Sequence, residues 1–162
     1  MTTTTKRETK LQRTGDRELR IERVFNASPR IVFTAYTRED LVRQWWTPLS
    51  CTEWVECRAD VRVGGTYRYV TKSEHGEAAF SGRYTEITPH SRIAYTQTFE
   101  PMAAAGEATV VVSFEELGTQ TRLVSVETYP SKEALDAAVA SGMEHGVRET
   151  FDQLDTLVGK MS

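Results

Sequence analysis

The side chains best suited to chemistry in this chain are aromatic. Tyr67, Tyr69, Phe80, Tyr84, Tyr95, Phe99 and Phe114 recur at alternate positions of successive segments that read as extended. In matching registers they share one face of a sheet. A concave surface of that kind takes apolar rings, while its hydroxyls orient a ligand or find partners of their own. Core filling is the competing reading, because aromatics dominate protein interiors. Trp45 and Trp46 are neighbours on what reads as a short helix, about 100° apart around its axis. That spacing sends one into the core and the other to the rim of any cavity, unless both are structural.

The residues that would carry other chemistry do not assemble. Arg23 falls in register with Ile21 and Phe25 and so points inward. A buried arginine needs an acidic partner, and Glu56 or Glu86 can supply it; otherwise it would clamp an anion. His75 and His90 fall in turns, and His145 lies largely off the apolar face of the last helix. No Ser/His/Asp or Cys/His grouping emerges, so no catalytic residue is assigned. Cys51 and Cys57 are the only cysteines, and no second Cys pair or histidine spacing joins them, which leaves zinc without support. No metal ligand and no cofactor is expected. Two reduced thiols suit the cytoplasm.

The elements that position these residues follow from periodicity. Leu19 to Phe25 alternates as a strand with one buried face. Ser28-Pro29 opens a short helix, Thr37 caps a second one, and Pro48 ends it. Five or six strands follow, from Glu53 to Thr128, with turn chemistry at Gly64-Gly65, Glu74-His75-Gly76, Pro89-His90-Ser91 and Gly118. On the strand from Ala78 to Thr88, Phe80, Gly82, Tyr84 and Glu86 share a face. On the last strand Leu123 and Ser125 lie on one face, and Val124 and Val126 on the other.

From Ser131 to about Gly159, Leu135, Val139, Met143, Val147, Phe151, Leu154 and Val158 mark one face of a helix. Such a helix would be roughly 42 Å long, enough to cross the sheet. Gly142 and Gly146 inside it each cost about 1 kcal/mol relative to Ala. They mark close packing, a break near residues 140–142, or room left for a ligand.

The totals exclude several classes. At 162 residues, 39% hydrophobic and 27% charged, the chain fits one ordinary globular domain. Residues 1–17 hold only Met1 and Leu11 as large apolar side chains and read as a flexible tail; residues 18–162 form the single domain. No apolar run approaches the roughly 18 residues needed to span a membrane, so no membrane insertion is expected. The N-terminus has no apolar stretch of the secretory kind. A net charge of −3 with interspersed signs argues against a nucleic-acid partner.

The order and wording of the segments also carry a resemblance. Phe25-Asn26-Ala27-Ser28-Pro29, Val32-Phe33-x-Ala35-x-Thr37 and Trp45-Trp46-x-Pro48 resemble the opening of the SRPBCC (START-like, helix-grip) superfamily. Arg62-Val63-Gly64-Gly65-x-Tyr67, Gly82-x-Tyr84-x-Glu86-Ile87-x-Pro89, Arg92-Ile93-x-Tyr95-Thr96 and Gly142-Met143-x-x-Gly146 extend the match across about residues 19–159. Together they point to the bacterial branch named after homologues of the activator of the ninety-kilodalton heat-shock chaperone's ATPase.

The resemblance implies an α+β helix-grip fold: a curved antiparallel sheet of about six to seven strands around a long C-terminal helix, with two short helices after the first strand. It also implies a hydrophobic cavity between sheet and helix. Lipid and hormone carriers and polyketide cyclases share this superfamily. The expected function is binding of a small apolar or amphipathic molecule there, lined by Trp45, Trp46, Tyr67, Tyr84, Tyr95, Phe99, Met143 and Val147. An enzyme of cyclase or hydrolase type in the same cavity is one alternative, betrayed by a pocket Glu or Tyr of perturbed pKa. A co-chaperone-like interaction domain is another, and a homodimer is compatible with either.

Overall fold

The computed structural model describes residues 8–161. Its strands are β1 (Lys10–Arg13), β2 (Glu18–Phe25), β3 (Glu53–Ala59), β4 (Thr66–Ser73), β5 (Gly76–Thr88), β6 (Arg92–Phe99), β7 (Ala108–Leu117) and β8 (Gln120–Thr128). Its helices are α1 (Pro29–Thr37), α2 (Glu39–Val42), α3 (Lys132–Ala140) and α4 (Met143–Met161). A 3-10 segment, Glu100–Ala105, joins β6 to β7. All eight strands form one antiparallel sheet in the order β1-β2-β8-β7-β6-β5-β4-β3. Only β2 to β8 breaks the meander, because α1 and α2 carry the chain across to the far edge. The fold is the helix-grip fold.

The strand count exceeds the expected six to seven, and β1 is among the reasons. It lies within the segment read as a tail, of which residues 1–7 fall outside the described residues. An edge strand needs backbone pairing and few apolar side chains: Leu11 sits opposite Ile21 and packs on the core. Thr9 fastens this edge from inside. Its hydroxyl accepts from Arg23 Nη1 at 3.2 Å, and its carbonyl accepts from the Arg148 guanidinium on α4.

The single long C-terminal helix is broken in two. Ser131 caps α3 as expected, its Oγ accepting from the Ala134 amide at 3.0 Å. Gly142 then adopts φ +86°, a conformation that ends a helix readily only at glycine. α2 is also shorter than expected, its N-cap is Arg38 rather than Thr37, and Trp45 and Trp46 follow it in turns.

α4 closes the sheet. Phe151, Leu154, Leu157 and Val158 bury against Phe25, Val32 and Leu123, with the Phe25 and Phe151 rings 5.6 Å apart edge to face. Arg23 does point inward, but its partners are Asp152 at 2.6 Å and Asp155 at 3.4 Å, not Glu56 or Glu86. Three positions apart on α4, those carboxylates face the same way. Glu56 instead holds Arg68 at 2.6 Å. A bulge between Tyr84 and Glu86 turns Glu86 out to Arg92, at 3.1 Å, and brings Ile87 inward beside Ile93.

Candidate functional site

Between the sheet, α3 and the first turns of α4 lies a cavity of about 510 Å³. That is within the usual range for small-molecule sites. Its mouth is rimmed by exposed residues of the 3-10 segment and α3 and of their C-terminal caps, including Met102, Ala105, Gly106, Ala137 and Ser141. Its lining includes small residues from three elements: Ala108 on β7, Ala134 and Ala138 on α3, and Gly146 on α4. A Cβ built on Gly146 meets nothing within 4 Å, so this glycine serves open space rather than close packing. Gly142 is the helix break. The two glycines, alike in sequence, have separate roles.

Six of the eight expected lining residues come together on this cavity: Trp45, Trp46, Tyr95, Phe99, Met143 and Val147. Trp45 is nearly buried and donates from Nε1 to the Ala35 carbonyl at 2.9 Å, which fixes its ring. Trp46 is half-buried and stacks edgewise on Tyr69 and Phe80, with centroids at 4.9 and 5.2 Å. Gln153 of α4 holds this segment in place, donating to the carbonyls of Trp45 and Thr47 at 3.1 and 2.8 Å. Phe80 and Phe99 pair across β5 and β6 with rings 5.0 Å apart.

Tyr67 and Tyr84 are placed differently. They border a void of only about 30 Å³, roughly one water's room, which also touches Trp45, Trp46 and Tyr95. Tyr67 donates to the Thr96 carbonyl at 2.8 Å. Its ring lies where a side chain at position 82 would be: a Cβ on Gly82 would stand 2.8 Å from that ring and 1.8 Å from the Thr96 oxygen. Burial pushes the Tyr84 hydroxyl up to about 12, offset in part by a hydrogen bond from Tyr69. These two tyrosines are fixed wall behind the cavity.

One residue on the cavity was not expected. Among the described residues, Glu127, near the end of β8, is the only acidic or basic side chain on its lining. Its cross-strand neighbours are Leu19 and Val110. Tyr129 donates to its Oε1 at 2.8 Å, and Glu127 is half-buried on the cavity lining. Loss of water raises its pKa above the ordinary 4.5, and the Tyr129 hydrogen bond only partly opposes this. The tyrosines around it respond in kind: burial and the Glu127 charge push Tyr36 and Tyr95 upward. The alternation that put Leu123 and Ser125 on one face extends two residues further to Glu127, and that was the available signal.

Other chemistry is dispersed. Burial raises the Cys57 thiol to about 11, which leaves it protonated and a poor nucleophile; Cys51 is exposed. His75 and His145 are exposed, and His90 lies edge-on to Phe33. Among the described residues, no three His, Cys, Asp or Glu side chains gather as a metal site, and no helix is long and apolar enough to cross a membrane.

A family model described as Activator of Hsp90 ATPase homolog 1-like protein matches residues 26–159. The chain belongs to that family. The family is of SRPBCC type, so the segments quoted above do mark membership. Solved structures of the same fold come from several bacteria. A crystal structure of a Rhodobacter sphaeroides protein superposes with a TM-score of 0.86 at 24% identity, covering 94% of this chain and 99% of that one. A Mycobacterium smegmatis protein gives 0.83 at 24%, covering 93% and 96%. A Nitrosomonas europaea protein gives 0.80 at 21%, covering 92% and 98%. Identities this low establish the shared fold of the Activator of Hsp90 ATPase homolog 1-like family and no more. No curated protein matches the sequence.

Proposed function

We propose that this protein binds a small apolar or amphipathic molecule in the cavity between its sheet and its C-terminal helices. The observation that carries the reading is a cavity of about 510 Å³ between sheet and helices, lined by aromatic rings and by small residues that leave it open. Met143 adds an adaptable side chain to the wall. Trp45, Trp46, Tyr95, Phe99, Met143 and Val147 touch the ligand; Tyr67 and Tyr84 support the wall from behind. The free thiols Cys51 and Cys57 suit a cytoplasmic location. Native mass spectrometry of protein purified from its own host, compared with the denatured sample, tests this. A molecule released only on denaturation supports it and shows its class. Protein that is empty, and that no lipid or aromatic metabolite stabilises against heat, overturns it.

Glu127 favours a second reading, an enzyme of cyclase or hydrolase type in the same cavity. A carboxyl of raised pKa beside apolar walls is suited to donate and take back a proton. Under this reading, Glu127→Gln would still bind the molecule found by mass spectrometry, while its conversion by wild-type protein would be lost in the variant.

A further inference from the structure

We propose that Glu127 makes the cavity selective for amphipathic molecules that end in an amine, held as the ammonium ion. This rests on the container reading and deepens it. A cavity of this size lined only by apolar groups would rank ligands by shape and hydrophobic area. Among the described residues, this one carries a single acid, no base, and several aromatic rings.

The electrostatics are incomplete as they stand. A carboxylate removed from water is costly unless an opposite charge accompanies it. Among the described residues, no Arg, Lys or His forms an ion pair with Glu127, and Leu19 and Val110 flank it across the sheet. The groups that do surround it can be named element by element. Tyr129 follows it on the chain and donates to Oε1. Tyr36 comes from α1, Tyr95 from β6 and Tyr67 from β4, each close enough for the Glu127 charge to raise its hydroxyl. The cavity surfaces of α3 and α4 contribute Ala134, Ala138 and Val147, none of which titrates. The missing partner is a cation.

An ammonium group supplies that charge and three N–H donors. Oε2 of Glu127 receives one. Ser125, two residues earlier on the same inward face, and Gln97 on β6 offer further acceptors on the lining. Tyr36 and Tyr95 present aromatic rings, which attract a desolvated cation through their π faces. The alkyl or aryl remainder of the ligand then extends past Phe99 and Met143 toward the rim. A carboxylate head group would meet a like charge with no cation to offset it, so fatty acids are disfavoured.

The test compares decylamine, decanol and decanoate, equal in chain and different in head group, by calorimetric titration at neutral pH. The amine is expected to bind about ten-fold tighter than the alcohol, with decanoate the weakest. In Glu127→Gln the advantage of amine over alcohol disappears. A pH series on wild-type protein needs no substitution: acidification through the Glu127 pKa weakens the amine and spares the alcohol. Equal affinity for amine and alcohol, or tightest binding of decanoate, overturns the amine site and leaves the container standing. If none of the three binds, the amine site is overturned, while the container reading is decided by the mass spectrometry and thermal test above. If Glu127→Gln keeps the preference for amine, Glu127 is not its source and the inference is wrong.

Discussion

The two ends of α4 pack against the same sheet and do opposite things. Toward its C-terminus, Phe151, Leu154, Leu157 and Val158 fill the space beside Phe25, Val32 and Leu123. Toward its N-terminus, Met143, Gly146 and Val147 face a cavity of about 510 Å³. The helical period continues through both halves, so periodicity reports only which side faces in. Side-chain size decides what happens there. Bulky residues interdigitate at one end, while Gly146 and the alanines of α3 stand back at the other.

Truncation should therefore cost far more at the filled end. Leu154→Ala is expected to destabilise the protein by about 2–5 kcal/mol, the usual range for a fully buried leucine. Val147→Ala should cost under about 1 kcal/mol, since its methyls border open space. Urea denaturation of both variants checks the difference. Equal losses would mean that the hollow end is packed in solution.

Glu127 sharpens the comparison through pH. Its folded-state pKa lies above the ordinary 4.5, so the folded protein holds this proton longer than the unfolded chain. Wild-type stability is therefore lost as pH rises from 4.5 through the folded pKa, and Glu127→Gln escapes that loss. The melting temperature of the variant minus that of wild type should climb across that window and be level below it. A difference independent of pH would place the carboxyl in water.

The smallest change expected is at Gly146. Gly146→Ala should stabilise the protein by about 0.5–1 kcal/mol, because a helix favours alanine and the new Cβ meets nothing within 4 Å. The same methyl narrows the cavity and should weaken decanol binding modestly by titration. Destabilisation instead would show that something occupies the space beside Gly146.

The sequence read well where a side chain announces its own environment. Alternating aromatics placed Tyr95 and Phe99 on the concave face, and glycine and proline marked the turns at Gly64, Gly76 and Gly118. It read poorly where backbone or distant partners decide. β1 is held mainly by main-chain pairing and by arginines remote in sequence, so its polar side chains resembled a tail. The bulge after Tyr84 reversed Glu86, which strict alternation had put inside. Arg23 found its carboxylates on α4, about 130 residues away along the chain, where no local pattern could point. The break at Gly142 was among the options for a mid-helix glycine, and only backbone geometry separates it from Gly146. Glu127 was legible in principle, one alternation beyond Ser125.

β1 has a consequence for how these molecules behave among their own kind. Without it, β2 would be the border of the sheet, a long, regular row of unpaired amides whose inner face carries Leu19, Ile21 and Phe25. Strands left in that state recruit others, and the easiest recruit is the corresponding strand of a neighbouring copy. Four residues of short, polar, charge-bearing chain deny that approach. Trimming the sequence through β1 would thus cost the Leu11 packing and the Thr9 bonds, and it would also strip the guard that keeps copies from joining edge to edge.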